Sequence, residues 1–163
     1  MKNPDFIRNK IYELPELKRQ MTRWHFLGKK VSFTNGCFDI LHEGHIFSLL
    51  SAAQEADFLI VAINTDLSVK KIKGRDRPVN NQHSRALLLA ALVMVDAVIL
   101  FDEETPRELI ASLLPDVLLN GGDYTEDQIA GAREVRANGG RIVINPIIKG
   151  FSTTAIIDKI QHL

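Results

Sequence analysis

Short runs of apolar residues alternate along the chain with longer mixed segments. Five runs are too short for a helix, and several are nearly continuous in Val, Ile and Leu: Val31 to Thr34, Phe58 to Asn64, Ala97 to Phe101, Val117 to Asn120 and Arg141 to Asn145. Such runs predict strands buried on both faces. Helical patterns lie between them, with Gly44 to Ala56 and Ser84 to Val95 rich in Leu and Ala. Thr105, Pro106 and Glu108 form a helix start signal: a capping hydroxyl, a proline at the first helical position and a carboxylate three residues after the cap. Thr125 and Gln128 repeat the capping spacing, and Gly139 with Gly140 stops that helix. Strands alternating with helices predict an α/β domain, a parallel sheet of about five strands flanked by helices. Residues 1–28 read as a helical N-terminal extension to a single domain over 29–163.

Composition changes this picture little. A chain of 163 residues can bury one sizeable core. Its 20 basic and 20 acidic side chains balance, so no global charge draws it to nucleic acid or to an anionic membrane. Cys37 is the only cysteine, which excludes an internal disulfide framework and a cysteine-rich zinc site. No stretch reaches the roughly 18 apolar residues of a membrane span, and the N-terminal residues carry scattered charges in place of a signal peptide's apolar core. The expected location is the cytoplasm.

Candidate chemistry sits in the stretch TNGCFDILHEGH, residues 34–45, where the first strand gives way to a helix. Ligands of parallel α/β sheets bind at this end of the strands. Gly36 lets the backbone turn closely, Asp39 can hold the loop through nearby amides, and Gly44 opens the helix with no side chain over its end. The unpaired first amides of that helix suit a phosphate. His42 and His45, three apart, share a helix face and can reach one phosphoryl group as donors. Blander uses exist: the histidines could cap or pack, and as metal ligands they would form an incomplete set, with no further Cys or His nearby. Cys37 reads as a small buried turn residue, since nothing nearby marks it as activated.

Further along, Asn64 and Asp66 end a strand, where they could contact a ligand or only form a turn. Lys70, Lys71, Lys73, Arg75 and Arg77 crowd a short loop that could be merely solvated or could grip phosphates. Gly121 and Gly122 could admit a nucleotide to backbone amides, with Asp123 and Tyr124 at the rim. Ser152, Thr153 and Thr154 begin the last helix, where a hydroxyl can cap or face a phosphate.

In combination, TNGCFDILHEGH, NTDLSVKKIKGRDRPV, VDAVILF, LNGGDYTEDQIAG and FSTTAIIDKI resemble the nucleotidylyltransferase superfamily with the HxGH signature, and within it the bacterial D-glycero-D-manno-heptose 1-phosphate adenylyltransferases. The resemblance runs from about residue 28 to 162. It implies a Rossmann-like fold and nucleotidyl transfer from ATP with magnesium, pyrophosphate leaving. It implies catalytic roles for His42, His45 and Lys73. Nucleotide contacts would come from Asn35, Gly36, Cys37, Phe38, His42, His45, Gly121, Asp123, Tyr124, Ser152 and Thr153. Contacts to phosphates or acceptor would come from Asp39, Asp66, Lys70, Lys73, Arg77 and Asn120. The protein itself would supply no metal-ligand set. Arg85 resembles a family arginine, although an exposed helical arginine or an interface contact would explain it equally.

Glycerol 3-phosphate cytidylyltransferases carry RTEGIST before the last helix, where this chain reads IIKGFST and lacks the arginine. TNGCFDILH, KGxxRPVN and GGDY fit the heptose enzymes better, although many of those have lysine where this chain has Asn120. The expected reaction is therefore attack by the anomeric phosphate of a heptose 1-phosphate on the α-phosphorus of ATP, giving ADP-heptose for lipopolysaccharide core or surface glycan. Without a fused sugar kinase, a separate kinase would supply the acceptor. A homodimer is the family expectation. The alternatives are a cytidylyltransferase for glycerol 3-phosphate or another small phosphorylated acceptor, and a catalytically silent nucleotide-binding module.

Overall fold

A computed structural model describes residues 4–122, 125–145 and 150–162. All six strands of its sheet are parallel: β1 (Ile11–Tyr12), β2 (Val31–Gly36), β3 (Phe58–Asn64), β4 (Ala97–Phe101), β5 (Val117–Gly121) and β6 (Arg141–Asn145). They lie in the order β1-β4-β3-β2-β5-β6. From β2 the chain builds outward through β3 to β4 and then returns to the other side of β2 for β5. The crevice between β2 and β5 is thus the switch point at which such sheets bind ligands.

The five long strands match the apolar runs, because a strand covered on both faces needs apolar residues at nearly every position. Ile60 and Ala62 of β3 face one core, with Leu17, Met21 and Trp24 of α1 (Leu14–Phe26) and Ile110 of α5 (Arg107–Leu113). Leu59, Val61 and Ile63 face the other, with Leu49 of α2 (Glu43–Gln54) and Leu89 of α4 (Gln82–Ala90). The sixth strand is the two-residue β1, which joins the sheet edge beside β4 and is too short for a periodic pattern. The N-terminal segment therefore holds the expected helix, α1, and also an edge strand. Trp24 stacks on Phe58 at 4.4 Å.

Several helix limits differ from the sequence pattern. Helix α4 starts at Gln82 because Asn81 caps it, accepting from the Ser84 amide at 2.9 Å, and it ends at Ala90. Pro106 is the N-cap of α5, so the signal at Thr105 falls one residue early. Thr125 and Gln128 do form a capping box, but on a 3-10 turn, Glu126–Gln128; α6 (Ala132–Ala137) starts afresh after Gly131, whose φ is +83°. The lysine-rich segment expected as a loop is largely helix: α3 spans Asp66–Lys73, capped by Thr65, which accepts from Ser68 N. The last helix, α7, spans Thr153–Gln161.

At the end of the sheet remote from the loops, an aspartate precedes each of three strands and accepts the amide of a neighbouring chain segment. Asp57 takes Lys30 N at 2.9 Å, Asp96 takes Leu59 N at 2.8 Å, and Asp116 takes Val31 N at 2.9 Å. Lys30 also donates to Asp116 at 2.8 Å.

Candidate active site

A cleft of about 660 Å³ opens at the switch point, bounded by Asn35 and Gly36 from the end of β2 and Asn120 and Gly121 from the end of β5. Between β2 and α2 the chain makes a tight loop. Phe38 takes a positive φ of 46°, folding its ring back over Gly36, where an added Cβ would lie 2.9 Å from the ring. Only glycine leaves that space.

Asp39 secures the loop from below. It is 2% exposed and accepts from Arg77 Nε at 2.6 Å, Val79 N at 2.8 Å and Asn80 N at 2.9 Å. Burial alone would raise its pKa, but the Asn80 amide, the Arg77 guanidinium and the Val79 amide together hold it below the usual carboxylate range.

His42 is the N-cap of α2 and gives no side-chain cap. Its ring instead stacks on that of His45, with centroids 3.7 Å apart and planes 17° from parallel. Gly44 permits the approach, since a Cβ there would meet Phe151 Cβ at 3.0 Å and His42 Nδ1 at 3.2 Å. Burial lowers the pKa of His42, and burial followed by the neighbouring His42 lowers that of His45 to about 4. Both imidazoles are therefore neutral at neutral pH when the site holds no anion. Among the described residues the Nδ1 atoms of both are buried without a hydrogen-bond partner. Buried polar atoms are nearly always paired, so two orphans at a helix N-terminus mark a place built for a ligand.

The cytidylyltransferase-like family model matches residues 33–159. The chain belongs to that family. It is 55% identical over 140 residues to the bifunctional protein HldE of Hyphomonas neptunium, covering 86% of this chain and 29% of that one. It is 46% identical over 158 residues to HldE of Mesorhizobium japonicum, covering 97% of this chain and 32% of that one. The chain thus spans about a third of the length of these relatives. A lipopolysaccharide core biosynthesis protein from Thermoplasma volcanium is 28% identical with a TM-score of 0.61, over 76% of this chain and 100% of that one. A pantoate-beta-alanine ligase from Francisella tularensis shares the fold at 16% identity, with a TM-score of 0.57 over 94% of this chain and 78% of that one.

In this member of the cytidylyltransferase-like family the cleft gathers most of the residues expected from sequence. Asn35, Gly36, Cys37, Phe38, Asp39, His42 and His45 line it from the first motif, Lys73 and Arg77 from the second, and Asn120, Gly121, Ser152 and Thr153 from the later ones. Ser152 is the cap of α7, accepting from Ala155 N at 3.0 Å. Thr153 Oγ1 donates to Ile40 O at 3.4 Å. Burial pushes the Cys37 thiol up, which makes it a poor nucleophile. Asp123 and Tyr124 lie outside the described residues.

Asp66 and Lys70 are not brought to the cleft lining. The Asp66 carboxylate instead receives Arg85 Nη2 at 2.8 Å, and Lys70 lies exposed on α3. Asp39 lines the cleft, but its carboxylate is engaged by Arg77 and two amides, so its part is to hold the loop.

Arg85 is the residue whose role the sequence hid. It is 1% exposed, deep beneath the cleft. Its guanidinium donates to Asn80 O at 3.0 Å, Cys37 O at 2.6 Å and Asn64 O at 2.8 Å as well as to Asp66. One side chain thus joins the loop after β2, the end of β3, the start of α3 and the segment before α4. The available signal was spacing: Arg85 and Leu89 are four apart, which puts the arginine on the buried stripe of α4.

Proposed function

We propose that the protein transfers the adenylyl group of ATP to D-glycero-D-manno-heptose 1-phosphate, giving ADP-heptose and pyrophosphate. The observation that carries this reading is the pair of stacked, neutral histidines with partnerless Nδ1 atoms at the start of α2, in a cleft that also holds Lys73 and Arg77. The motif resemblance to heptose enzymes and the name of the Thermoplasma relative favour the acceptor and a glycan destination.

In the mechanism, the acceptor's phosphate is already anionic at neutral pH and attacks the α-phosphorus in line, so no base is needed. His42 and His45 donate N–H groups to the α-phosphoryl oxygens as charge develops there, and the α2 N-terminus adds its dipole. An arriving polyphosphate favours imidazolium, so binding raises the histidine pKa values that burial has lowered. Lys73 and Arg77 balance the charge of the departing pyrophosphate, while Arg85 and Asp39 keep the loops in place. Magnesium belongs to the substrate in this reading, as MgATP held through phosphate oxygens. Catalysis is then chiefly positioning and electrostatics. Among the described residues no helix is long and apolar enough to cross a membrane. We place the protein in the cytoplasm, where ATP is made, as a homodimer, and sedimentation velocity tests the latter.

The deciding experiment is pyrophosphate release with magnesium, pairing ATP or CTP with each anomer of heptose 1-phosphate and with glycerol 3-phosphate. Release with ATP and one heptose anomer alone is the expected result. Preference for CTP and glycerol 3-phosphate would replace the reading with a cytidylyltransferase. Tight nucleotide binding with no turnover on any acceptor would mean a binding module.

A further inference from the structure

The cleft is not uniformly basic. The connection between β4 and α5 brings Glu104 and Thr105 into its wall, and the 3-10 turn before α6 brings Gln128. That connection is held from inside: Glu103 O accepts Ser68 Oγ at 3.0 Å and Asn64 Nδ2 at 3.5 Å, and Thr65 donates to Asp102. Glu104 therefore stands on an anchored segment, although its own side chain is exposed. Gln128 is oriented as well, because its Oε1 accepts Thr125 N at 2.9 Å, and among the described residues its amide protons meet no acceptor.

A carboxylate in a site that takes two polyanions repels them wherever it meets phosphate. The other carboxylate of the lining, Asp39, is neutralised by Arg77 and two amides; Glu104 is best accommodated beside an uncharged part of a substrate, where neighbouring sugar hydroxyls are the donors that suit its two oxygens. Resting on the function proposed above, we propose that Glu104 is a specificity-determining residue that accepts hydroxyl protons from a sugar ring, with Thr105 and Gln128 completing the polar wall. Substrates would be sorted along the cleft, anionic heads to His42, His45, Lys73 and Arg77, hydroxylated bodies to Glu104. Two rings present such hydroxyls, the acceptor sugar and the ribose of the nucleotide.

Steady-state pyrophosphate release by wild type, Glu104→Gln and Glu104→Ala tests this, with ATP and sugar 1-phosphate varied in turn and 2′-deoxy-ATP compared with ATP. Because Glu104 is exposed, both variants should keep the wild-type melting temperature. A hydrogen bond to a charged group contributes enough that the lost contact should reduce the relevant kcat/KM about tenfold or more. A loss confined to the sugar 1-phosphate assigns the contact to the acceptor. A loss for ATP, together with loss of discrimination against 2′-deoxy-ATP, assigns it to the ribose. Unchanged constants for both substrates, or an ATP effect that leaves 2′-deoxy discrimination intact, would overturn the inference while wild-type turnover still upholds the proposed function. An inactive wild type would overturn both.

Discussion

Replacing Arg85 by methionine keeps most of the side-chain volume and removes every donor. The carbonyls of Cys37, Asn64 and Asn80 would lose their partner at this position, and Asp66 its counter-ion. Asp66 retains some access to water, with 32% of its side chain exposed, but the Arg85 side chain is wholly buried, so water does not readily replace it. Breaking a buried hydrogen-bonded ion pair from one side costs about 3–5 kcal/mol. Set against a total stability of about 5–15 kcal/mol, that is a large fraction. At about 2–4 °C per kcal/mol for a domain of this size, the melting temperature should fall by roughly 6–20 °C. Urea unfolding with the m-value unchanged would give the same loss directly. Lysine should restore only part of it, because an ammonium cannot present the guanidinium's planar array of donors to four separate oxygens. Below the lowered transition, Arg85→Met should also show a weaker kcat/KM for MgATP, since the loop bearing Cys37 loses its tie. A methionine variant within about 1 kcal/mol of wild type, or a lysine variant indistinguishable from it, would refute the claim that the guanidinium joins these loops.

Other outcomes follow from the site and its supports. His42→Ala and His45→Ala should each lower kcat far more than they weaken ATP binding measured by calorimetry, because their contacts strengthen in the transition state; equal losses in both would point to a ground-state or packing role. The lowered pKa of His45, about 4 against about 6.5 in the unfolded chain, means that the unfolded state binds the extra proton between those values. Stability should therefore fall as the pH is lowered from about 6.5 to about 4, and His45→Asn should flatten the slope; parallel pH profiles for variant and wild type would contradict the burial argument. Gly36→Ala should destabilise the fold by about 1–3 kcal/mol, since the new methyl meets the Phe38 ring at 2.9 Å and Phe38 is itself buried in the second core. An unchanged urea midpoint would show that the ring yields freely.

Five strands were legible because β2 to β5 are apolar for a reason that periodicity reports, both faces being covered, and because β6, half-buried at the edge, still carries the run Ile142, Val143 and Ile144. Strand β1 was not, since two residues carry no period. Helix α3 was obscured by its lysines, which suggest a solvated loop although Val69 and Ser68 are buried beneath them. The cleft was legible where glycines, histidines and hydroxyls sit in local motifs that reach it from strand ends. The pairing of Asp66 with Arg85 was not legible for the opposite reason. Their partners are distant in sequence, and only the folded chain shows that the carboxylate faces a buried guanidinium.

The three aspartates that staple the strand beginnings have a consequence for how the molecule can change. Asp57, Asp96 and Asp116 fasten the rim of the sheet opposite the cleft, by contacts between backbone amides and carboxylates that are largely indifferent to the chemistry at the other rim. Asp57 and Asp116 hold their protons less tightly than ordinary aspartates, through the Lys30 amide for the former and, against burial, through Lys30 and the Val31 amide for the latter. Their contribution is present above the unfolded pKa and is lost as pH falls through the lower folded value. The fastening of the strand beginnings and the chemistry of the cleft are thus written on opposite edges of one sheet, and either could drift through mutation while the other is conserved.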